Sequence, residues 1–356
     1  MKYMKRIFFL ILFVSGAMVS CLPQQRWCTI TGYAQGGIYT VKADLSNSDI
    51  SPRELKDSVD MILAAIDRSV SGYNKGSLLC RLNSGERIRP DEILIDLYRK
   101  SYEIYCQTDG YVDVASAPLY DIWGFGFKSG EFPSEETVTG VLASSGMDRL
   151  VPDMRNVLDS DGMLSAQDLL LQGKGRALPK LNFNAVAQGY SADLVAAFLK
   201  RKGVRNMMVD IGEIYCQGLN QSGNNWTFGI DRPVDGNNTP GADLTGIFHV
   251  RSTPSGVVTS GNYRKFYIRD GKKYAHTVNP KTGYPVDHQL LSATIVASDS
   301  FTADALATYC MVIGPVAAKS FVLSRDDIQA CLISAQGDST IFWCSDSLAL
   351  ESPQQL

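Results

Sequence analysis

Asp304 and Thr308 stand four residues apart in Ala303-Asp304-Ala305-Leu306-Ala307-Thr308, inside a stretch whose apolar spacing predicts a helix from about Phe301 to Ile313. On such a helix a carboxylate and a hydroxyl share one face about a turn apart. Two hard oxygens so placed suit Mg²⁺ when a carbonyl or phosphate oxygen completes the shell. The same aspartate also reads as a charge set against the helix dipole. His276, one of three histidines, lies in Tyr274-Ala275-His276-Thr277-Val278-Asn279-Pro280-Lys281-Thr282-Gly283, where a strand runs into an Asn-Pro turn. That setting can present an imidazole to a ligand, and it also fits a ring satisfied by backbone carbonyls. His249 and His288 have no comparable setting and default to structural positions.

Three further segments set polar residues and glycines into apolar surroundings, where burial without a partner is costly. They are Ser71 to Ser77, Asp109 to Asp113 with Trp123-Gly124-Phe125-Gly126, and Asn182 to Asp193. No G-x-x-x-x-G-K-[ST] run occurs, and no G-x-G-x-x-G opens a helix after a strand, so P-loop and Rossmann readings are disfavoured.

The elements that must position these groups follow from periodicity. Ser51-Pro52-Arg53-Glu54 forms a capping box with proline at the first helical position, and Leu55, Val59, Ile62, Leu63, Ile66 and Val70 continue at helical spacing. A second helix begins near Pro90-Asp91. A third spans about 187 to 202 and stops at Gly203, with loops expected between the second and third. Strands are expected at Ile38 to Ala43, Val204 to Ile211, Trp226 to Asp231, Thr245 to Arg251, Lys265 to Arg269, Leu291 to Ala297, Ala330 to Ser334 and Thr340 to Trp343, interrupted by the helix that follows its expected cap Ser300 and stops at Gly314-Pro315. Helices and strands do not alternate regularly, which points to an α+β fold rather than a doubly wound sheet.

The chain has 356 residues, with 34 Lys+Arg against 37 Asp+Glu and 45% hydrophobic residues, enough apolar content for a large core. A net charge of −3 argues against a nucleic-acid partner, which calls for a basic face. Residues 1–20 carry Lys2, Lys5 and Arg6, then the apolar run Ile7 to Val14 and small residues ahead of Cys21. This is the pattern of a secretory signal peptide, too short to span a bilayer permanently. Small residues before a cysteine resemble a bacterial lipobox, which makes Cys21 the expected lipidation site and residues 21–30 a lipid-anchored linker; ordinary cleavage nearby is the other reading. The expected location is that of an exported bacterial lipoprotein, membrane-anchored and facing the periplasm or the cell exterior. Seven cysteines follow Cys21 without a C-x-x-C pair, so a zinc site is not expected and buried thiols are, with no particular bridge indicated.

Taken in order, the segments resemble the ApbE family, the FAD:protein FMN transferases, from about Gly32 to Gly314. The resemblance rests on Tyr73-Asn74 with Ser77, Arg81, Leu82 and Asn83; on Asp113 to Pro118 and Trp123 to Gly126; and on Asn184 to Asp193. It continues in Thr259-Ser260-Gly261-Asn262-Tyr263-Arg264, His276 to Pro285 and Ala303 to Thr308. It implies a mixed-sheet, T-fold-related α+β fold, a single domain over 31–350, with FAD bound in a cleft and Mg²⁺ at its pyrophosphate. Asp304 and Thr308 would be metal ligands together with the backbone carbonyl of Ala185. Gln35, Tyr73, Tyr111, Val112, Asp113, Asn182, Gln188 and Val278 would line the FAD site, and His276 and Asp304 would be catalytic. The implied reaction is attack of a Thr or Ser hydroxyl of a cell-envelope acceptor flavoprotein on the FMN phosphorus, releasing AMP.

This chain departs from the family at several points. Gln35-Gly36-Gly37 replaces Met-Gly-Thr, Asn182 stands where many relatives have Asp, and Gln188 stands where many have Lys. Val209-Asp210-Ile211-Gly212-Glu213 is one glycine short, and Ala307 occupies a position acidic in some relatives. Two other activities remain open at this level. One is an FAD pyrophosphatase in which water makes the attack, and the other is a lipoprotein that binds flavin without chemistry.

Overall fold

The structure, a computed structural model, describes residues 26–353 apart from 126–131, 238, 252, 264–265, 270–271, 338 and 347. The leader, Cys21, Gly126 and Arg264 lie outside the described residues. Twelve strands run in chain order: β1 Trp27–Ala34, β2 Gly37–Asp44, β3 Met207–Asp210, β4 Ile214–Gln217, β5 Thr227–Asp231, β6 Leu244–His249, β7 Ser255–Gly261, β8 Phe266–Arg269, β9 Lys272–Ala275, β10 Leu290–Ala297, β11 Gln329–Gln336 and β12 Ser339–Cys344. The α-helices are α1 Pro52–Val70, α2 Leu78–Asn83, α3 Glu92–Gln107, α4 Ala117–Ile122, α5 Glu135–Ser144, α6 Ala187–Arg201, α7 Ser300–Ile313 and α8 Pro315–Leu323.

Eight strands form one sheet in the order β1-β2-β3-β4-β7-β10-β11-β12, while β5–β6 and β8–β9 are separate hairpins. The class is α+β, as expected. The sheet was expected to be mixed, but its ladders are antiparallel throughout. Neighbouring strands follow one another through tight turns, or after inserted hairpins or helices that bring the chain back in the opposite direction.

The period of two along each strand sorts its side chains to two faces. Met207 and Val209 join Tyr39, Val41 and Ala43 beneath α1, α3 and α6, while Ala293, Ile295, Ala330 and Leu332 pack beneath α7 and α8. On the opposite face Met208, Cys216, Val257, Val296, Cys331 and Ile333 meet Trp226, Phe228, Ile230 and Phe248 of the β5–β6 hairpin. Helices therefore cover one side of the sheet and a hairpin the other.

The capping box forms as the sequence predicts: Ser51 Oγ accepts from Glu54 N–H at 3.2 Å and Glu54 Oε2 from Ser51 N–H at 2.9 Å. Elsewhere local signals miss. Strand β1 starts at Trp27, within the expected linker. The segment between α3 and α6, expected to be loops, contains α4, α5 and three short 3-10 turns. Ser300 is inside α7, and Asp299 caps it by accepting from Thr302 N–H at 2.8 Å. Gly314-Pro315 ends α7 but also starts α8, because proline is well suited to a first helical turn. Strand β7, which the sequence reading did not include, is central to the sheet.

Helix α7 is buried over most of its circumference, consistent with its nearly continuous apolar sequence. It lies so close to β7 that a Cβ at Gly256 would fall 2.2 Å from Asp299 O. Gly256→Ala is therefore expected to destabilise the fold by about 1–3 kcal/mol, the usual range for overpacking. Chemical denaturation measures it, and an unchanged midpoint would remove this contact from the account.

Candidate active site

Two cavities open between the helical layer and the sheet. The larger, 1050 Å³, is lined by the β1–β2 turn, the inner face of α1, Ser71 to Tyr73 and the start of α6. The smaller, 520 Å³, is lined among others by Asp113, Tyr120, Asn182, Ala185, Glu213, Thr259, His276, Asp304 and Thr308. Tyr73, Asn184 and Gln188 belong to both walls, so the two are chambers of one cleft. Their combined size exceeds that of a typical drug-sized ligand site.

The crossing of α6 and α7 sets the inner chamber. A Cβ at Gly189 would lie 2.4 Å from Ser300 O and 2.9 Å from Asp304 Cβ, so only glycine lets the helices approach this closely. At that contact Gly189 N–H donates to Asp304 Oδ2 at 3.1 Å. Asp193, one turn further along α6, accepts from Ser300 N–H and Phe301 N–H, both at 2.9 Å, and so satisfies the first donors of α7. Burial pushes the Asp304 carboxyl up to about 8, with the Asp193 charge adding to the rise and the Gly189 N–H opposing it. Burial also raises Asp193 to about 7 and Asp113 to about 6, although Asp113 accepts from Ala115 N–H at 2.8 Å and Met147 N–H at 3.1 Å.

The remaining expected residues divide between cleft and core. Gln35 occupies the left-handed region at φ 52°, followed by Gly36 at φ 83°, which makes a two-residue hairpin turn of the type that matches strand twist. Its Nε2 donates to Ser191 Oγ at 2.5 Å, tying the turn to α6 beside the outer chamber. Tyr73 is 71% exposed at the junction of the chambers, with Asn184 Nδ2 3.4 Å from its hydroxyl. Asn182, Ala185, Gln188, His276 and Thr308 all line the cleft. Tyr111 and Val112 do not: Tyr111 packs against Tyr309, with ring centroids 6.0 Å apart, and Val112 is buried in the core. Val278 is also core, packed with Leu119, Trp123 and Val138, and its carbonyl accepts from the hydroxyl of cleft-lining Tyr120 at 3.5 Å.

The sequence reading missed Tyr120 and Glu213 as wall residues. Glu213 had a signal, because it ends the shortened Val209 to Glu213 motif. Tyr120 had none, since it sits in a helix too short to show a period. Behind His276, Phe125 stacks on Tyr267 with centroids 4.9 Å apart, Tyr267 stacks on Tyr274 at 5.5 Å, and Trp123 Nε1 donates to Gly283 O at 2.7 Å. This aromatic wall fixes the β8–β9 hairpin and the segment that carries His276.

Among the described residues no group of three His, Cys, Asp or Glu side chains is placed to hold a metal ion. The donor set still fits a hard cation. Asp304 is buried with no cationic partner among the described residues, and Thr308 and Ala185 offer a hydroxyl and a carbonyl in the same chamber.

The family model described as "ApbE family" matches residues 34–332. The chain belongs to the ApbE family. It is 32% identical over 302 residues to a curated FAD:protein FMN transferase of Escherichia coli strain K12, covering 82% of this chain and 80% of that protein. The corresponding Klebsiella pneumoniae protein is 28% identical over 333 residues, covering 91% and 89%. The apo crystal structure of the Pseudomonas stutzeri flavinyl transferase ApbE superposes with a TM-score of 0.76 at 28% identity, covering 92% of this chain and 96% of that one. The flavin transferase ApbE from Vibrio cholerae gives 0.73 at 25% identity, covering 91% and 98%. Membership in the ApbE family places this chain among the transferases.

The buried carboxylates carry a pH signature. A carboxyl whose folded pKa is raised favours the folded state while protonated, and that stability is lost as pH rises from the unfolded value toward the folded one. In metal-free protein, stability should therefore decline between about pH 4 and pH 8. Asp304→Asn, which cannot ionise, should decline less. Identical pH dependence of the two in thermal denaturation would contradict the burial assigned to Asp304.

Proposed function

We propose that this ApbE-family chain is a Mg²⁺-dependent FAD:protein FMN transferase that esterifies FMN to a Thr or Ser hydroxyl of an acceptor protein and releases AMP. The observation that carries this reading is Asp304, a buried carboxylate with no cationic partner among the described residues, in one chamber with Thr308 and His276 and continuous with the Tyr73 chamber. FAD spans both chambers, its isoalloxazine ring against Tyr73 and its pyrophosphate near Asp304.

Asp304, Thr308 and the Ala185 carbonyl would hold the Mg²⁺. When bound, the ion neutralises charge growing on the phosphate oxygens and steadies the AMP leaving group. The protein's own contribution is mainly positional. Gly189 and Asp193 lock α6 against α7, so that Ala185, just ahead of α6, and Thr308, on α7, keep a fixed separation. The acceptor hydroxyl enters past Tyr73 and attacks phosphorus. Its proton passes to His276 Nδ1 or Nε2 on the chamber wall, the bond to the AMP phosphate oxygen breaks, and FMN remains on the acceptor. Gln188 and Asn182 contact the nucleotide as neutral groups, so binding depends on hydrogen bonds where many relatives use charge.

Residues 1–20 act as a signal peptide, and lipid on Cys21 anchors the domain over 31–350 at the membrane surface. Its acceptors are redox proteins of the cell envelope. One acyl-modified terminus supplies an anchor without a spanning helix, and among the described residues no helix is long and apolar enough to cross a membrane.

Incubating the chain with FAD, Mg²⁺ and an acceptor carrying a Thr flavinylation motif, then weighing the intact acceptor, tests the reaction. The acceptor should gain one FMN less a water, and chelation should abolish the gain. FMN and AMP appearing at the same rate without an acceptor would favour water as the attacking group, and intact FAD would favour mere binding. Asp304→Ala should lower the transfer rate by at least about 100-fold with the fold retained; parental activity would rule out the metal assignment. Tyr73→Ala should raise the Kd for FAD about tenfold and change the rate on bound FAD less, which fluorescence titration separates from single-turnover kinetics.

A further inference from the structure

The geometry points to a redox-active thiol pair, Cys331 on β11 and Cys344 on β12, that closes into a disulfide stapling the edge strand to the sheet. The two residues are direct partners in the β11–β12 ladder. Ser345 N–H donates to Ala330 O at 2.8 Å, which makes the flanking pair the hydrogen-bonded one and leaves the cysteines at a non-hydrogen-bonded position. At such positions the Cα atoms approach to about 4.5 Å and the side chains stand closest, within the span a disulfide bridges. The sulfurs are 2.8 Å apart.

No other described strand cysteine has this setting. Cys28 faces Ala43, Cys216 faces Met208, and the Cys80 thiol turns to the carbonyls of Ser71 and Gly72. A metal is not the alternative, because no third ligand joins the pair among the described residues.

The pair is asymmetric in a way that suits thiol exchange. Cys331 is fully buried and Cys344 half-buried, so Cys344 is the thiol that an oxidant reaches first. Cys344 as thiolate attacks one sulfur of a disulfide oxidant, either a small molecule such as oxidised glutathione or a disulfide oxidoreductase, and releases the other sulfur as a thiol. Cys331 then loses its proton and displaces the second oxidant sulfur. In sum the two cysteines give up two electrons and two protons, and the oxidant's disulfide becomes two thiols.

The bridge would lie in the core on the face away from α7, beside Trp226, Phe228 and Phe248 of the β5–β6 hairpin. From there the chain passes to buried Leu348 and to Glu351, whose N–H donates to Ile247 O at 2.8 Å while its carbonyl accepts from Ile247 N–H at 3.0 Å. Fixing β12 therefore also fixes the segment that covers the back of the sheet. The bond is a structural staple remote from the FAD cleft, and it does not depend on the proposed reaction.

The full chain, incubated with oxidised glutathione or with dithiothreitol, is denatured in N-ethylmaleimide, digested and mapped by mass spectrometry. The oxidised sample should yield a peptide linking Cys331 to Cys344, two hydrogens lighter than the reduced pair, and its Tm should exceed that of the reduced sample by about 5 °C. Alkylation of both cysteines after oxidation, or linkage of either to a different cysteine, would overturn the proposal. In Cys344→Ala the oxidant-dependent rise in Tm should vanish, and its persistence would also overturn it. If that variant does not fold, the peptide map of the parent chain decides alone.

Discussion

The approach of α6 to α7 across Gly189 is the constraint on which the rest of the molecule depends. Two helices can touch backbone to side chain there only because one of them presents no Cβ. Once they touch, the Gly189 N–H reaches Asp304, Asp193 satisfies the first amides of α7, and the chamber wall acquires a buried carboxylate. Gly256 supports the same helix from below, so α7 is held between a helix and a strand that both lack side chains at the contact. A buried carboxylate is costly unless a partner compensates it. The fold accepts that cost at Asp304, and a chain folded for stability alone has no reason to.

The larger architecture follows from giving this junction two faces to work between. The helices stack on one side of an antiparallel sheet and leave the cleft where α1, α6 and α7 meet the loop carrying Asp113 and the segment after β9. The β5–β6 hairpin seals the opposite side, so the strands under α7 are buried on both faces. The aromatic wall of Phe125, Tyr267 and Tyr274 stiffens a small hairpin that could not hold its own shape as two isolated strands.

Much of this was legible in the sequence where the signal is local. The capping box at Ser51, the helical spacing through Val70 and the i, i+4 pair at Asp304 and Thr308 need only their immediate neighbours. The α+β class followed from the irregular order of elements. Other features depend on distant contacts and left little trace. Strand β7 is rich in Gly and Ser because α7 presses on it, and that composition disguises a central strand as a loop. Ser300 looks like a cap until Asp193, 107 residues earlier, takes its N–H. Val112 and Val278 sit in motif segments, yet their side chains belong to the core. At those positions the motif marks a backbone path, which a sequence pattern cannot separate from a side-chain contact.

The order of strands also has a consequence in time. Strand β2 pairs with β3, but Asp44 and Met207 are separated by the segment that carries α1 to α6. At ribosomal rates of about 5–20 residues per second, the β1–β2 hairpin waits on the order of ten to thirty seconds for its next neighbour. During that interval Tyr39, Val41 and Ala43, fully buried in the finished molecule, have no sheet to join. The apolar face of the earliest hairpin thus stays without its neighbouring strand until the central strands have been made.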